Sequence, residues 1–562
     1  MTLRIGNASG FYGDRSTAWR EMLDGGELDV LTGDYLAELT MLILGRDRAT
    51  DAASGYAKTF LRQMEQSLGS ALERGVKIVS NAGGLNPAGL ADALRALGVP
   101  VKIGVVDGDD VTARFPHALT ANAYLGAFGI AECLRAGADI VITGRVTDAS
   151  LVVGPAIAHF GWSRGDLDAL AGATVAGHVL ECGAQATGGN FAFFTELPDG
   201  GRRPGFPIAE LHADGSAVIT KHPGTGGAVT RETVTAQLLY EIGTPAYLGP
   251  DVVAHFDTIR LAEAGPDRVL ISGVRGSEPP PTLKVGVNTL AGYRNAMTFV
   301  LCGLDIEAKV ALARAQLEDA VGADGLEFTL ARTDHPDADT EEAASALLHV
   351  HLADADARRA GRAFSQAAVA LALASYPGFT LTGPPGDATP VGVFTAESLP
   401  QDAVKHVAVL PSGERVEIAP PNIAPPNIVT TSGKSWSQGL PETTTSRKLC
   451  GSTTRRVPLG TVAGARSGDK GGDANLGVWA RDDESFGWLR DFLTVERLRE
   501  LLPETAALTV DRYGLSNLRA LNFVIHGLLG RGVAASNRFD PQAKALGEWL
   551  RSRLVDVPEE LL

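Results

Sequence analysis

Glu181 and Cys182 stand side by side in HVLECGAQATGGNF, residues 178–191, with His178 upstream and a glycine-rich turn downstream. Three readings suit the pattern: a thiolate nucleophile, a carboxylate acting as general acid or base, or a buried helix end with no chemistry. A nucleophilic cysteine needs a pKa lowered by a partnered histidine or a helix N-terminus. If GATVAGHVLECG is a helix ending at Gly183, Cys182 sits at the C-terminal end, where the dipole disfavours a thiolate. The same field disfavours an ionised Glu181 and raises its pKa toward that of a useful acid/base. On such a helix His178 lies near Glu181 or Cys182. The carboxylate is the expected chemical group, and Cys182 the expected small buried residue.

The elements that must position this pair are legible nearby. LRIGNAS, VKIVSNAGG, VKIGVVDGDD and ADIVITGRVTD read as apolar strands, separated by helical stretches such as GLADALRALG and GIAECLRAGA. That alternation predicts an α/β fold with a mostly parallel sheet covered on both faces. In such a sheet the loops leaving the strand C-termini share one edge, where ligands bind. Those loops carry Asp14 and Arg15; Asn81, Gly83 and Gly84; Asp107 and Asp109; and Arg145 and Asp148. Asp14 and Asp148 are further acid/base candidates, and Arg15, Asn81, Gly83, Gly84 and Arg145 candidate substrate contacts.

From about 190 to 290 short β-like pieces predict an antiparallel insert. Within it KHPGTGGAVT places Lys221 and His222 before a glycine turn that enters a helix-like segment, an arrangement suited to an anion. PPPTLKVGVN and GYRNAM contribute Lys284 and Arg294 as cations for an anionic substrate. RSGDKGGDANLGVW, residues 466–479, sets Asp469, Lys470 and Asp473 among four glycines. Its backbone N–H groups could cradle an anion, and a solvated hairpin is the alternative. Lys470 is followed by glycine, so a nucleotide P-loop is not expected.

The remaining features set limits. A chain of 562 residues with formal charge −16 and no basic block predicts several domains and no nucleic-acid partner. Cys133, Cys182, Cys302 and Cys450 lack CxxC spacing, which fits a reducing cytosol. No signal-like start and no run of about 18 apolar residues occur, so the expectation is a cytoplasmic protein without membrane contact. LHVHL holds an HxH pair, His349 and His351, but its surroundings read as helical, which would turn the rings about 200° apart. No metal site and no cofactor are expected. The doubled APPNI in a Pro/Ser/Thr-rich stretch marks a linker over 411–450, followed by a small α+β unit over 455–556.

Long stretches carry a resemblance. GFYGDR, DYLAELTM, NAGGLNP, TGRVTDASLVVGP, GHVLECGAQATGGNF, KHPGTGGAVT, GVRGSEPPPTLKVG and GYRNAM are similar to the acyclic terpene utilisation family, AtuA. Residues to about 448 resemble its large domain. RSGDKGGDANLGV and NFVIHGLLGRGVAASNRFDPQAKALGEWL resemble its ferredoxin-like C-terminal domain. The resemblance implies a setting in bacterial degradation of acyclic terpenoids through acyl-CoA intermediates, and no assigned catalytic residues. Set beside the residues, it makes a hydratase/dehydratase-type lyase acting on a branched carboxylate or acyl-CoA the leading expectation. A thioester or amide hydrolase using Cys182, and a noncatalytic partner of an acyl-CoA carboxylase, are the alternatives. A homo-oligomer is the expected assembly.

Overall fold

The computed structural model describes residues 2–421 and 453–562. The doubled APPNI runs into the residues outside that description, and most of the expected linker and Cys450 lie there. The chain divides into two compact units. One comprises 1–288, 394–533 and 540–562, and the other 289–393 with 534–539.

In the first unit, strands Leu3–Asn7, Val30–Gly33, Lys77–Ser80, Ile140–Thr143 and Ile103–Asp107 lie side by side in that order, all parallel. Their alternate residues feed two cores: Ile78, Ile140 and Ile142 pack on one face with Trp19, Phe60 and Leu94. Val79 and Val141 pack on the other with Ile130, Leu151 and Val175. This is the period of two expected of strands buried on both sides. Antiparallel strands then extend the same sheet at both edges. Pro207–Leu211, Ala217–Lys221, Val269–Ser272 and Arg260–Glu263 continue from Leu3–Asn7, and Val407–Val409 with Arg415–Glu417 continue from Ile103–Asp107. The β-rich insert thus adds four strands to the parallel sheet, and the two at 407–417 bring it to eleven.

Helix Leu167–Glu181 is buried at every position from Ala169 onward. A helix apolar on all sides is a core helix. Its C-terminal carbonyls then need partners inside the protein. Asn7 Nδ2 supplies them, donating to the carbonyls of Leu180 and Glu181. The loop after the first strand closes over this end: a β-carbon at Gly10 would lie 2.5 Å from the Cys182 carbonyl carbon.

The C-terminal segment of the same unit forms a four-stranded antiparallel sheet, in the order Ala463–Lys470, Asp473–Ala480, Ala520–Ile525, Val510–Leu515. Helices Asp483–Phe492, Val495–Leu501 and Leu546–Ser552 contribute to its core. Lys470 and Asp473 are paired across a two-residue Gly471–Gly472 turn, so the glycine-rich loop is the tip of a hairpin.

The second unit corrects one expectation. SALLHVHLAD is a strand, Ser345–Asp354, paired with Leu326–Ala331 on one side and Thr282–Cys302 on the other. Ala346, Leu348, Val350 and Leu352 are buried in its core, so the period of two overrides the helix-favouring flanks. His349 and His351 therefore share one face. His349 Nδ1 lies 2.9 Å from Thr298 Oγ1, and its ring meets Phe539 edge-on. Among the described residues no group of three or more His, Cys, Asp or Glu could hold a metal ion, and no helix is long and apolar enough to cross a membrane.

The central helix packs closely enough to be tested. A β-carbon at Gly177 would lie 2.8 Å from Ala149 Cα and 2.9 Å from its carbonyl oxygen. Gly177→Ala gains about 1 kcal/mol of helix propensity and loses more to overpacking. A urea titration followed by circular dichroism is expected to show a net loss of about 1–2 kcal/mol.

Candidate functional site

The buried end of the central helix is the centre of the site. His178 Nδ1 lies 2.8 Å from Glu181 Oε1, one helical turn along. The two are not aligned as donor and acceptor, so both ring nitrogens and Glu181 Oε2 have no hydrogen-bond partner. Tyr247 and Phe256 pack on the imidazole, with ring centroids at 5.3 and 5.5 Å. Burial, helped by the charge of Lys470, lowers the His178 pKa to about 4 and keeps the ring neutral. Burial and the neighbouring Asp148 and Glu241 push Glu181 well above the ordinary carboxylate range, against the pull of Lys470 and Arg145. Burial, Glu181 and Glu241 hold the Cys182 thiol far above its usual value. The helix end therefore presents a protonated acid and a neutral imidazole, with no activated thiolate.

A second wall comes from the sheet edge. Arg145, almost fully buried, donates from Nη1 to Asp148 Oδ1 at 2.7 Å and to the Leu36 carbonyl at 3.3 Å. Its guanidinium stacks over Tyr124 at 4.1 Å, and its Nε has no partner. Asp109 holds its backbone N–H at 2.8 Å. Lys284 reaches the same Tyr124 ring at 4.5 Å and lies 3.3 Å from Glu38 Oε1. Burial works to raise Glu38, but Lys284 and Arg145 outweigh it and hold the carboxylate at about 2. Asp34 accepts from Asn81 Nδ2 at 2.7 Å and from the Leu36 N–H at 3.0 Å. Burial and Asp148 keep Asp34 well above its usual pKa despite Arg145.

The C-terminal hairpin supplies a third wall. Lys470 Nζ donates to the Glu241 carbonyl at 2.7 Å, and burial with nearby Lys284 lowers its pKa. Burial, Glu241 and Glu38 raise Asp469 to about 7. Arg466 lies over Tyr240 at 4.4 Å with Nη2 unpartnered. Gln237 Oε1 and Gln185 Oε1 are buried acceptors without a partner as well. Buried polar groups seldom stay unpaired, so such a cluster signals space for water or a ligand. Glu38, Asp148 and Lys284 keep 28%, 29% and 44% of their side-chain surface accessible although their surroundings desolvate them. That combination is a cleft open at one side. Several of its carboxyls are pushed toward the neutral form, while Arg145 and Lys284 are held as cations, each beside a carboxylate, Asp148 and Glu38.

Of the residues expected from sequence, Glu181, Cys182, Arg145, Asp148, Lys284, Asp469 and Lys470 meet around this cleft. Asn81 acts behind it, by holding Asp34. Others have local duties. Asp14 accepts from the N–H groups of Gly10 and Arg15, and Arg15 pairs with Glu21 at 2.8 Å and the Pro204 carbonyl at 3.0 Å. Gly83 makes room for the Thr143 carbonyl and Gly84 takes a left-handed φ of 53°. Lys221 is tied to Asp267 and the Thr225 carbonyl, and His222 to the Met22 carbonyl. Asp473 binds His526 and the Gly527 N–H. Arg294 belongs to the second unit, where it donates to the Ser536 carbonyl. Sequence reasoning missed Asp34, Glu38, Tyr124, Glu241 and Tyr247. Asp34 and Glu38 had a signal, since both lie in the motif DYLAELTM after the short apolar run LDVLTG; the others came from segments with no distinctive pattern.

The family model described as acyclic terpene utilisation family protein AtuA matches residues 3–410, and that of the AtuA ferredoxin-like domain matches residues 457–556. No curated protein and no solved structure matches the chain.

Both buried groups make folding stability depend on pH, with opposite signs. His178, lowered in the fold from 6.5 to about 4, contributes stability present above pH 6.5 and lost as pH falls toward 4. Glu181, raised above 4.5, contributes stability present below pH 4.5 and lost as pH rises. In chemical denaturation Glu181→Gln is therefore expected to gain on the wild type steadily from pH 4.5 to 8. His178→Gln is expected to flatten the loss between pH 6.5 and 4.

Proposed function

The chain belongs to the acyclic terpene utilisation family, and from the site it carries we propose that it is an enzyme that adds water to, or removes it from, a branched carboxylate or its CoA thioester. One observation carries the reading: Glu181 stands at a buried helix end, 2.8 Å from His178 Nδ1 with its Oε2 unpartnered, where burial favours its protonated form, within electrostatic reach of Lys470 and Arg145. Removal of water from a 3-hydroxyacyl group takes a proton from the α-carbon and expels the β-hydroxyl. The hydroxyl leaves readily only as water, so an acid must supply a proton as the carbon–oxygen bond breaks. Glu181, whose carboxyl burial and Asp148 push toward the protonated form, is that acid. Loss of the α-proton puts negative charge on the carbonyl oxygen, and Lys470 and Arg145 are the cations that favour it. Addition of water runs the same steps backwards. Tyr247 and Phe256, stacked with centroids 5.2 Å apart, pack on His178 and keep the surroundings of the acid apolar.

Hydrolysis through Cys182 is the weaker reading. Burial and the carboxyls of Glu181 and Glu241 raise the pKa of its thiol, and the nearby imidazole is neutral with both ring nitrogens unpartnered.

Incubation of the purified protein with branched acyl-CoAs and free acids, followed by mass spectrometry, is expected to show a change of about 18 Da, the mass of water. Glu181→Gln should lower turnover by about 10²- to 10⁴-fold, the range for loss of a general acid. Cys182→Ala should leave it within a few-fold. Release of free CoA dependent on Cys182 would move the assignment to a hydrolase, and binding without any mass change to an accessory role.

A further inference from the structure

The residues 239–243 are gripped by the C-terminal domain in a way that packing alone does not require. Glu241 adopts a left-handed backbone, φ 55°, which a non-glycine residue holds only when its surroundings impose it. Two side chains of the domain impose it here. Asn475 Oδ1 accepts the Glu241 N–H at 2.8 Å, and Lys470 Nζ donates to the Glu241 carbonyl at 2.7 Å. Asn522 Nδ2 takes the Gly243 carbonyl at 2.6 Å, and Asn475 in turn donates to Asn522. Both asparagines are buried, so this is a fixed polar ladder. The domain surface is notched to admit the segment. A β-carbon at Gly468 would lie 2.5 Å from the Tyr240 ring, and one at Gly477 2.5 Å from Leu239 Cβ.

The consequence is that the Glu241 side chain is brought within electrostatic reach of Glu181, Asp148 and Glu38. We propose that the ferredoxin-like domain is a working part of the site, and that it fixes Glu241 as the base that complements Glu181 as the acid. This rests on the water-transfer reading above and supplies the partner that reading lacks. Burial and Asp148 raise both carboxyls and Lys470 pulls both down, so the division of roles follows from hydrogen bonding: Tyr240 donates to the Glu241 carboxylate and favours its anion, while Glu181 Oε2 has no partner. In dehydration, the Glu241 carboxylate takes the α-proton and the freed electron pair becomes the Cα–Cβ double bond. The Cβ–O bond breaks, Glu181 gives its proton to the departing oxygen, and water leaves. The cycle closes when the proton on Glu241 returns to Glu181 through water in the cleft. Atoms and charge balance with no further reactant.

The test uses the full-length protein with its glutamates labelled with ¹³C at Cδ, the two signals assigned by Glu181→Gln and Glu241→Gln. Glu241 is expected to titrate above the free-glutamate range, and Glu241→Gln to lower the Glu181 midpoint. Asn475→Ala, checked for folding by its melting curve, is expected to return the Glu241 midpoint toward the ordinary value while both carboxyls remain. With a turned-over acyl-CoA in D₂O, Glu241→Gln should cut deuterium entry at the α-carbon by about 100-fold or more. Glu181→Gln should stop water transfer and still allow exchange at that carbon. A Glu241 that titrates as a free glutamate, or Glu241→Gln with wild-type exchange, overturns the proposal. Coupled titration with no turnover of any acyl-CoA would leave the clamped carboxyl pair standing and remove the water-transfer reading alone.

Discussion

The burial of one helix end governs the rest of this structure. Helix Leu167–Glu181 is apolar on all sides and lies in the core, so its last carbonyls cannot turn to water. Asn7 answers for Leu180 and Glu181, and Gln237 Nε2 answers for His178 at 3.1 Å. With the backbone satisfied, the Glu181 side chain is left in a poorly solvated place with Oε2 unpartnered. A carboxyl in that position is pushed toward its protonated form because ionising it costs solvation that Lys470 and Arg145 only partly replace. The helix therefore supplies both a rigid mount and the electrostatic setting for the acid.

Around that fixed point, charge is arranged in layers. Tyr124 is the platform on which Arg145 and Lys284 both rest, and the two cations keep Glu38 ionised while Arg145 also engages Asp148. Asp34, under burial and Asp148, and Asp469, under burial, Glu241 and Glu38, are pushed toward their neutral forms. Adjacent carboxyls thus differ in protonation for reasons of local solvation and partners, the condition under which one fold can offer acid and base together. The C-terminal domain enters this ledger directly through Lys470 and Asp469.

Much of this was readable in the residues. The sheet edge was, because ligand loops follow strand C-termini and Arg145-x-x-Asp148 stood out among them. The weakness of Cys182 as a nucleophile was, because the helix direction was legible. The glycine loop at 468–472 could be read as anion cradle or hairpin tip. It is the tip of a hairpin, and its flanking Lys470 still reaches the cleft. His349 and His351 were misplaced by helix-favouring neighbours, since alternation over ten residues decides a strand that pairs on both sides. Lys221 and His222 had the residue types of an anion site, but a nearby carboxylate and backbone carbonyls occupy them.

By itself the sequence determined the α/β class, the family, the small C-terminal domain and the residue at the helix end, because periodicity, glycine placement and long motifs are local properties. Only the tertiary structure decided which charges meet. Asp34, Glu38, Glu181, Glu241, Lys284 and Lys470 come from segments spread between residues 34 and 470, and their protonation depends on mutual distance and on water excluded by the whole fold. Those are sums over neighbours in space, and no linear pattern records them.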